Sequence, residues 1–89
     1  MVRPPHRVLV IDDDESIRTF VGGALRYARY EVLTAMDGLD ALRVVEQARP
    51  FDLLVIDVLM PQMRGDALAR DLRQRDPDAK ILNRTGYSD

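Results

Sequence analysis

Residues 7–15 read Arg-Val-Leu-Val-Ile-Asp-Asp-Asp-Glu. Four consecutive apolar residues, three of them β-branched, run straight into four acids. An unbroken apolar run of this length is typical of a strand buried on both faces, as in a parallel sheet. Residues 52–56, Asp-Leu-Leu-Val-Ile, repeat the pattern and run directly into Asp57. Between and beyond these two strands, apolar residues fall at helical spacing. Ile17, Phe20, Val21, Ala24, Leu25 and Ala28 mark one helical face. Gly22 and Gly23 interrupt that helix, each costing about 1 kcal/mol relative to Ala. Either packing compensates for them or a neighbouring backbone approaches closely.

The rest of the chain keeps the alternation. Residues 31–35 (Glu-Val-Leu-Thr-Ala) read as a second strand, and Asp37-Gly38 as a turn. Ala41, Leu42, Val44, Val45 and Ala48 mark a second helix, stopped at Pro50. Gly65-Asp66 opens a third helix with Ala67, Leu68 and Leu72 inward, ending near Asp76-Pro77. Residues 80–85 (Lys-Ile-Leu-Asn-Arg-Thr) form a weaker fourth strand. The order is βαβαβαβ, which predicts an α/β doubly wound parallel sheet with right-handed crossovers. In such sheets the chemistry gathers at the carboxyl ends of the strands.

Composition narrows the function. The 89 residues are 46% hydrophobic and 31% charged, which allows one domain, 1–89. A domain this small buries only about 60–65% of its unfolded surface. The chain lacks cysteine, which excludes disulfides and thiolate metal sites. A net charge of −2 argues against a nucleic-acid partner. The apolar runs at residues 8–11 and 53–56 are far too short for a membrane span. Residues 1–7 carry charge and two prolines, unlike a signal peptide. The expected location is the cytoplasm.

Asp12, Asp13 and Asp57 are therefore expected at one rim, if the first and third strands are neighbours. Close carboxylates repel, so such a cluster is kept by protonation or by a bound cation. An all-oxygen donor set of this kind suits Mg²⁺. The plainer reading of residues 12–15 is a solvated loop whose acids favour a helix N-terminus. Asp14 or Glu15 would then serve only that purpose. Asp57 follows an apolar strand directly, where capping explains it less well. Arg64 reads as a solvated loop residue.

The segments VLVIDDDES, DLLVIDVLMPQMRG and KILNRTGYSD together resemble the receiver (phosphoacceptor) domain of two-component response regulators. The resemblance runs from Arg7 to Asp89, with three motifs at the ends of three successive strands. It implies a flavodoxin-like sheet of order 2-1-3-4. It implies that Asp57 accepts a phosphoryl group, and that Asp12 and Asp13 hold Mg²⁺ together with Asp57. Thr85 resembles the hydroxyl residue that hydrogen-bonds the phosphoryl oxygen and reports phosphorylation. Met60-Pro61 and Gly65 match the loop after the phosphoacceptor, and Gly86 leaves room for the phosphoryl group. The implied partner is a sensor histidine kinase or a phosphotransfer protein.

The receiver fold has five βα units. At about 24 residues per unit, five need about 120 residues. The fourth helix and the fifth βα unit are therefore expected to be absent. With them would go a lysine after the fifth strand and an aromatic residue on it. Lys80, the only lysine, starts the fourth strand and cannot substitute. The first helix must then cover its face nearly alone, which predicts a homodimer or an exchange of elements between chains. Asn83 and Arg84 interrupt the fourth strand's apolar run, suggesting an exposed strand or one that has left the sheet. An alternative function follows: a dimerising or kinase-docking interaction protein without efficient phosphotransfer. A Mg²⁺-dependent phosphohydrolase would want an acid or base two residues beyond Asp57, where Leu59 stands.

Overall fold

The computed structural model describes residues 6–56 and 65–83. Seven elements alternate along the chain: β1 (Arg7–Ile11), α1 (Glu15–Tyr27), β2 (Glu31–Ala35), α2 (Gly38–Ala48), β3 (Leu53–Ile56), α3 (Gly65–Arg75) and β4 (Lys80–Asn83). The strands form one parallel sheet in the order β2-β1-β3-β4. The alternation of strands and helices predicts the parallel sheet, and the resemblance implies this flavodoxin-like order. No helix among the described residues is long and apolar enough to cross a membrane.

β1 lies between β2 and β3, and its side chains alternate between two apolar layers. Leu9 and Ile11 face α2 and α3, packing with Ala35, Ala41, Val45, Leu54, Ile56, Leu68 and Leu72. Val8 and Val10 face α1, with Val32, Val55, Val21 and Leu25. Leu9 and Val10 have no exposed surface. Enclosure on both sides explains why the strand reads as one continuous apolar run.

The first helix differs from its predicted face. Val21, Leu25 and Gly22 pack inward, while Phe20, Ala24 and Ala28 are exposed. The apolar layer beneath α1 is small, four valines and half-buried Leu53, so only a narrow stripe of the helix meets it. Gly22 is buried, but a Cβ there would lie 3.7 Å from Val32 Cγ1, an ordinary contact. A Cβ on Gly23 would meet nothing within 4 Å. Close approach therefore does not explain Gly23.

The ends of α1 are well specified. Asp14 caps it by accepting from the Ser16 and Ile17 amides at 2.8 and 3.3 Å. At the other end the Tyr30 amide donates to Leu25 C=O and the Arg29 amide to Arg26 C=O, a Schellman turn. Arg29 carries the left-handed conformation that turn needs, with φ of 73°.

β4 stays in the sheet. Leu53, Leu54, Val55 and Ile56 pair in register with Lys80, Ile81, Leu82 and Asn83. The expectation of a strand that has left the sheet is corrected: Ile81 packs on the α2/α3 core and anchors it. The other branch of that expectation holds for Leu82, which is 47% exposed. Arg84 lies outside the described residues.

The amino-terminal pole of the sheet is tied by polar contacts. The Asp52 carboxylate accepts from the Arg7 amide at 2.7 Å. The Arg7 guanidinium pairs with Glu31 at 3.0 Å, donates to the Ala48 and Pro50 carbonyls, and lies over the Phe51 ring. Buried Asp76 accepts from the Phe51 amide at 2.8 Å.

Two backbone substitutions on α1 should be stabilising. Gly23→Ala removes an unneeded glycine from a helix interior, a gain of about 1 kcal/mol. Arg29→Gly relieves a left-handed non-glycine residue, a gain of about 1 kcal/mol. Thermal unfolding should show each raising Tm by about 4–8 °C. A lower Tm for Gly23→Ala would mean that the outer face of α1 is covered in solution.

Candidate functional site

The carboxyl pole of the sheet collects acids. Ile11 ends β1 and pairs with Ala35 of β2 and Ile56 of β3. Asp12 follows Ile11, and its amide continues the ladder by donating to Ala35 C=O at 3.1 Å. Its side chain is 1% exposed, and Oδ1 accepts from the Asp14 amide at 2.9 Å. Asp13 is exposed in the turn that follows.

The run of four acids thus divides by role. Asp14 is the helix cap, as the plainer reading allowed for that residue. Asp12 is drawn inward at the strand end, which capping does not require. A nearly buried carboxylate beside an exposed one is a place where a cation is favoured.

Two residues that sequence reasoning passed over help to frame this pole. Arg18, in the first turns of α1, donates through Nη1 to Asp12 C=O at 2.7 Å. Asp40, in the first turn of α2, accepts from the Met36 amide at 3.1 Å and pairs with Arg43 at 2.6 Å. The cap residue Asp37 accepts in turn from the Asp40 amide at 2.8 Å. The Arg43 hydrogen bond, aided by the Met36 amide and the charges of Arg43 and Arg18, holds the Asp40 carboxyl below its ordinary pKa. One signal was available for Arg18: a cation near a helix N-terminus opposes the macrodipole, so something besides the helix retains it.

Asp57 and Thr85 lie outside the described residues, as do Met60, Pro61, Arg64 and Gly86. Their strands are described. Ile11, Ile56 and Asn83 align across β1, β3 and β4. Among the described residues, no group of three His, Cys, Asp or Glu side chains is placed to hold a metal ion. Lys80 pairs with Leu53 at the opposite end of the sheet, as expected.

With this geometry, the chain matches the profile of the response regulator receiver domain over residues 8–89. The chain belongs to the response regulator receiver family. Response regulator MprA of Mycobacterium sp. (strain KMS) is 40% identical over 78 residues, 88% of this chain and 34% of that protein. The chain therefore spans about a third of the length of these curated relatives. The chemotaxis protein CheY4 of Vibrio cholerae superposes with a TM-score of 0.82 at 40% identity, covering 89% of this chain and 67% of that one. Response regulator TrrA of Thermotoga maritima, in complex with Mg²⁺-BeF, superposes with a TM-score of 0.78 at 35% identity, over 88% and 67% of the two chains. A structure of histidine kinase ThkA in complex with TrrA also matches, with a TM-score of 0.78 at 36% identity, over 94% and 72%. The chain is thus a receiver domain of two-component signalling, and the sheet order predicted by the resemblance is the one observed.

The Asp40 arrangement carries a pH signature. Its folded pKa is depressed, so between the folded and unfolded values the unfolded chain binds more protons. The stabilisation is complete above the ordinary carboxylate value of about 3.9 and is lost as pH falls through the folded pKa. Asp40→Asn should cost about 0.5 kcal/mol at pH 7, as for an exposed helix ion pair. Urea unfolding across pH 2.5–7 should show that deficit shrinking toward the acid end; a constant deficit would remove the ionic contribution.

Proposed function

We propose that this receiver accepts a phosphoryl group on Asp57, with Mg²⁺ held by Asp12, Asp13 and Asp57. The donor is a sensor histidine kinase or a phosphotransfer protein. One observation carries the reading: Ile11 and Ile56 are register partners, and the next residues in the sequence are Asp12 and Asp57. Two strand-end aspartates follow directly from adjacent, paired positions.

The donor set fits the ion. Asp12 and Asp13 offer hard carboxylate oxygens, which suit Mg²⁺. Bound Mg²⁺ supplies neutralisation of the phosphoryl oxygens. The Asp57 carboxylate acts as the nucleophile: its oxygen forms the new bond to phosphorus as the donor's P–N bond breaks. The electron pair of that bond leaves with the donor imidazole. The Thr85 hydroxyl donates a hydrogen bond to a phosphoryl oxygen. The TrrA complex with Mg²⁺-BeF supports the choice of ion, and the ThkA–TrrA complex supports a histidine kinase as partner.

The reading is tested with Mg²⁺ and acetyl phosphate. Intact mass spectrometry should show wild type gaining one phosphoryl group, and Asp57→Ala gaining none. Omitting Mg²⁺ should abolish the adduct in wild type. A wild-type protein that gains no mass, and shows no NMR shift with Mg²⁺ and beryllofluoride, would leave only the interaction role.

Self-association is the finer reading of its partners. Leu82 is exposed on β4, and Phe20 and Tyr27 are exposed on α1 at 75% and 92%. These side chains support a homodimer or an exchange of elements between chains. Gel filtration over a range of concentrations should show a dimer whose share grows with concentration. A single monomer peak throughout removes it.

A further inference from the structure

Arg18 is tied to Asp12 through the main chain. Its guanidinium Nη1 donates to Asp12 C=O at 2.7 Å in a half-buried setting. A hydrogen bond from a charged donor is shorter and stronger than a neutral one. The other groups of Asp12 are held from elsewhere. The amide is held by Ala35 C=O, and Oδ1 by the Asp14 amide. Arg18 holds the Asp12 carbonyl from the helix side. It also lies within electrostatic reach of Asp40, whose carboxylate holds the Met36 amide after β2. One side chain of α1 thus stands between the two loops that frame the acidic rim.

We infer that Arg18 is a positioning residue for the divalent-cation pocket, holding the Asp12 peptide so that its buried carboxylate keeps one orientation. The identity of the cation as Mg²⁺ rests on the phosphoacceptor reading above. The holding of Asp12 does not.

Two effects of Arg18 oppose each other. As a charge it repels a divalent cation, so its removal would tighten binding. As a hydrogen-bond donor it orients a ligand residue, so its removal would loosen binding. The repulsion is screened by water and salt and offset by Asp40. Loss of groups that orient metal ligands weakens metal binding about 10–100-fold. Orientation is therefore the larger effect, and the two predict opposite signs.

The test compares wild type with Arg18→Met, Arg18→Gln and Arg18→Lys in two measurements. The first is Mg²⁺ titration by calorimetry. The second is hydrogen exchange of the Asp14 amide by NMR in metal-free protein, because that amide is bonded to Asp12 Oδ1. Arg18→Met and Arg18→Gln should bind Mg²⁺ about tenfold more weakly and exchange the Asp14 amide faster, with the amides of β1 unchanged. Arg18→Lys, which keeps a charged donor, should recover most of both. Mg²⁺ binding that is equal or tighter in both uncharged variants, with the Asp14 amide unmoved, overturns the inference and leaves the phosphoacceptor reading standing. A wild type that binds no Mg²⁺ sinks the phosphoacceptor reading and the Mg²⁺ pocket with it, and an Asp14 amide that still responds to Arg18→Met then supports only the holding of Asp12.

Discussion

Everything at the acidic pole depends on the register of one strand. β1 is hydrogen-bonded on both edges and covered on both faces. A slip of one residue would exchange Leu9 and Ile11 with Val8 and Val10, turning every side chain to the wrong layer. It would also carry Asp12 into the ladder position now held by Ile11. Leu9 and Val10, both with no exposed surface, leave no room for such a shift. A buried carboxylate at a strand end is tolerable because the apolar pattern before it admits one placement. The position of Asp12 is thus a consequence of packing several residues away.

The two poles of the sheet use polar residues differently. At the amino-terminal pole, Arg7, Asp52 and Asp76 join the strand starts, the end of α2 and the Phe51 segment. Their partners are mostly backbone groups and a single ring, so the pole is a clamp. At the carboxyl pole, acids outnumber bases in the described loops and helix starts: Asp12, Asp13, Asp14, Glu15, Asp37 and Asp40 against Arg18 and Arg43. Asp14 and Asp37 serve helix N-termini, where a negative charge is favourable. Asp12 and Asp13 are not needed for capping. A domain that only had to fold would gain little by burying Asp12, and that excess singles out this pole for chemistry.

The legible parts of the fold were those set by local pattern. Unbroken apolar runs at β1 and β3 read directly as enclosed strands, and the alternation gave the parallel sheet. The α1 face was misread because helical periodicity identifies apolar positions without saying how wide the layer beneath them is. Phe20 fits the period and still faces solvent, because β1, β2 and β3 offer on that side only a narrow layer of four valines and Leu53. β4 looked weak because its apolar run is short, yet pairing with β3 and the anchoring of Ile81 are tertiary facts. The placement of Asp12 was legible because motif and strand end coincide there. Arg18 and Asp40 escaped because their partners are backbone groups, a carbonyl six residues away and an amide four residues away, which residue type and spacing do not announce.

The cap of α1 and the acidic rim are built from the same few atoms. Asp14 uses its carboxylate to cap the helix and its own amide to hold Asp12 Oδ1. Arg18, one turn further along, returns to the Asp12 carbonyl. A closed circuit therefore runs from the strand end through the cap into the helix and back. Its members are in direct contact, so their energies are coupled and not additive. A perturbation at Asp12 acts first on the Asp14 amide, then on the first turn of α1. Val21 and Leu25 form the inner stripe of α1, and Phe20 and Tyr27 stand exposed outside it. Among the described residues, α1 is thus coupled directly to the acidic rim, through the Asp14 amide and the Arg18 guanidinium.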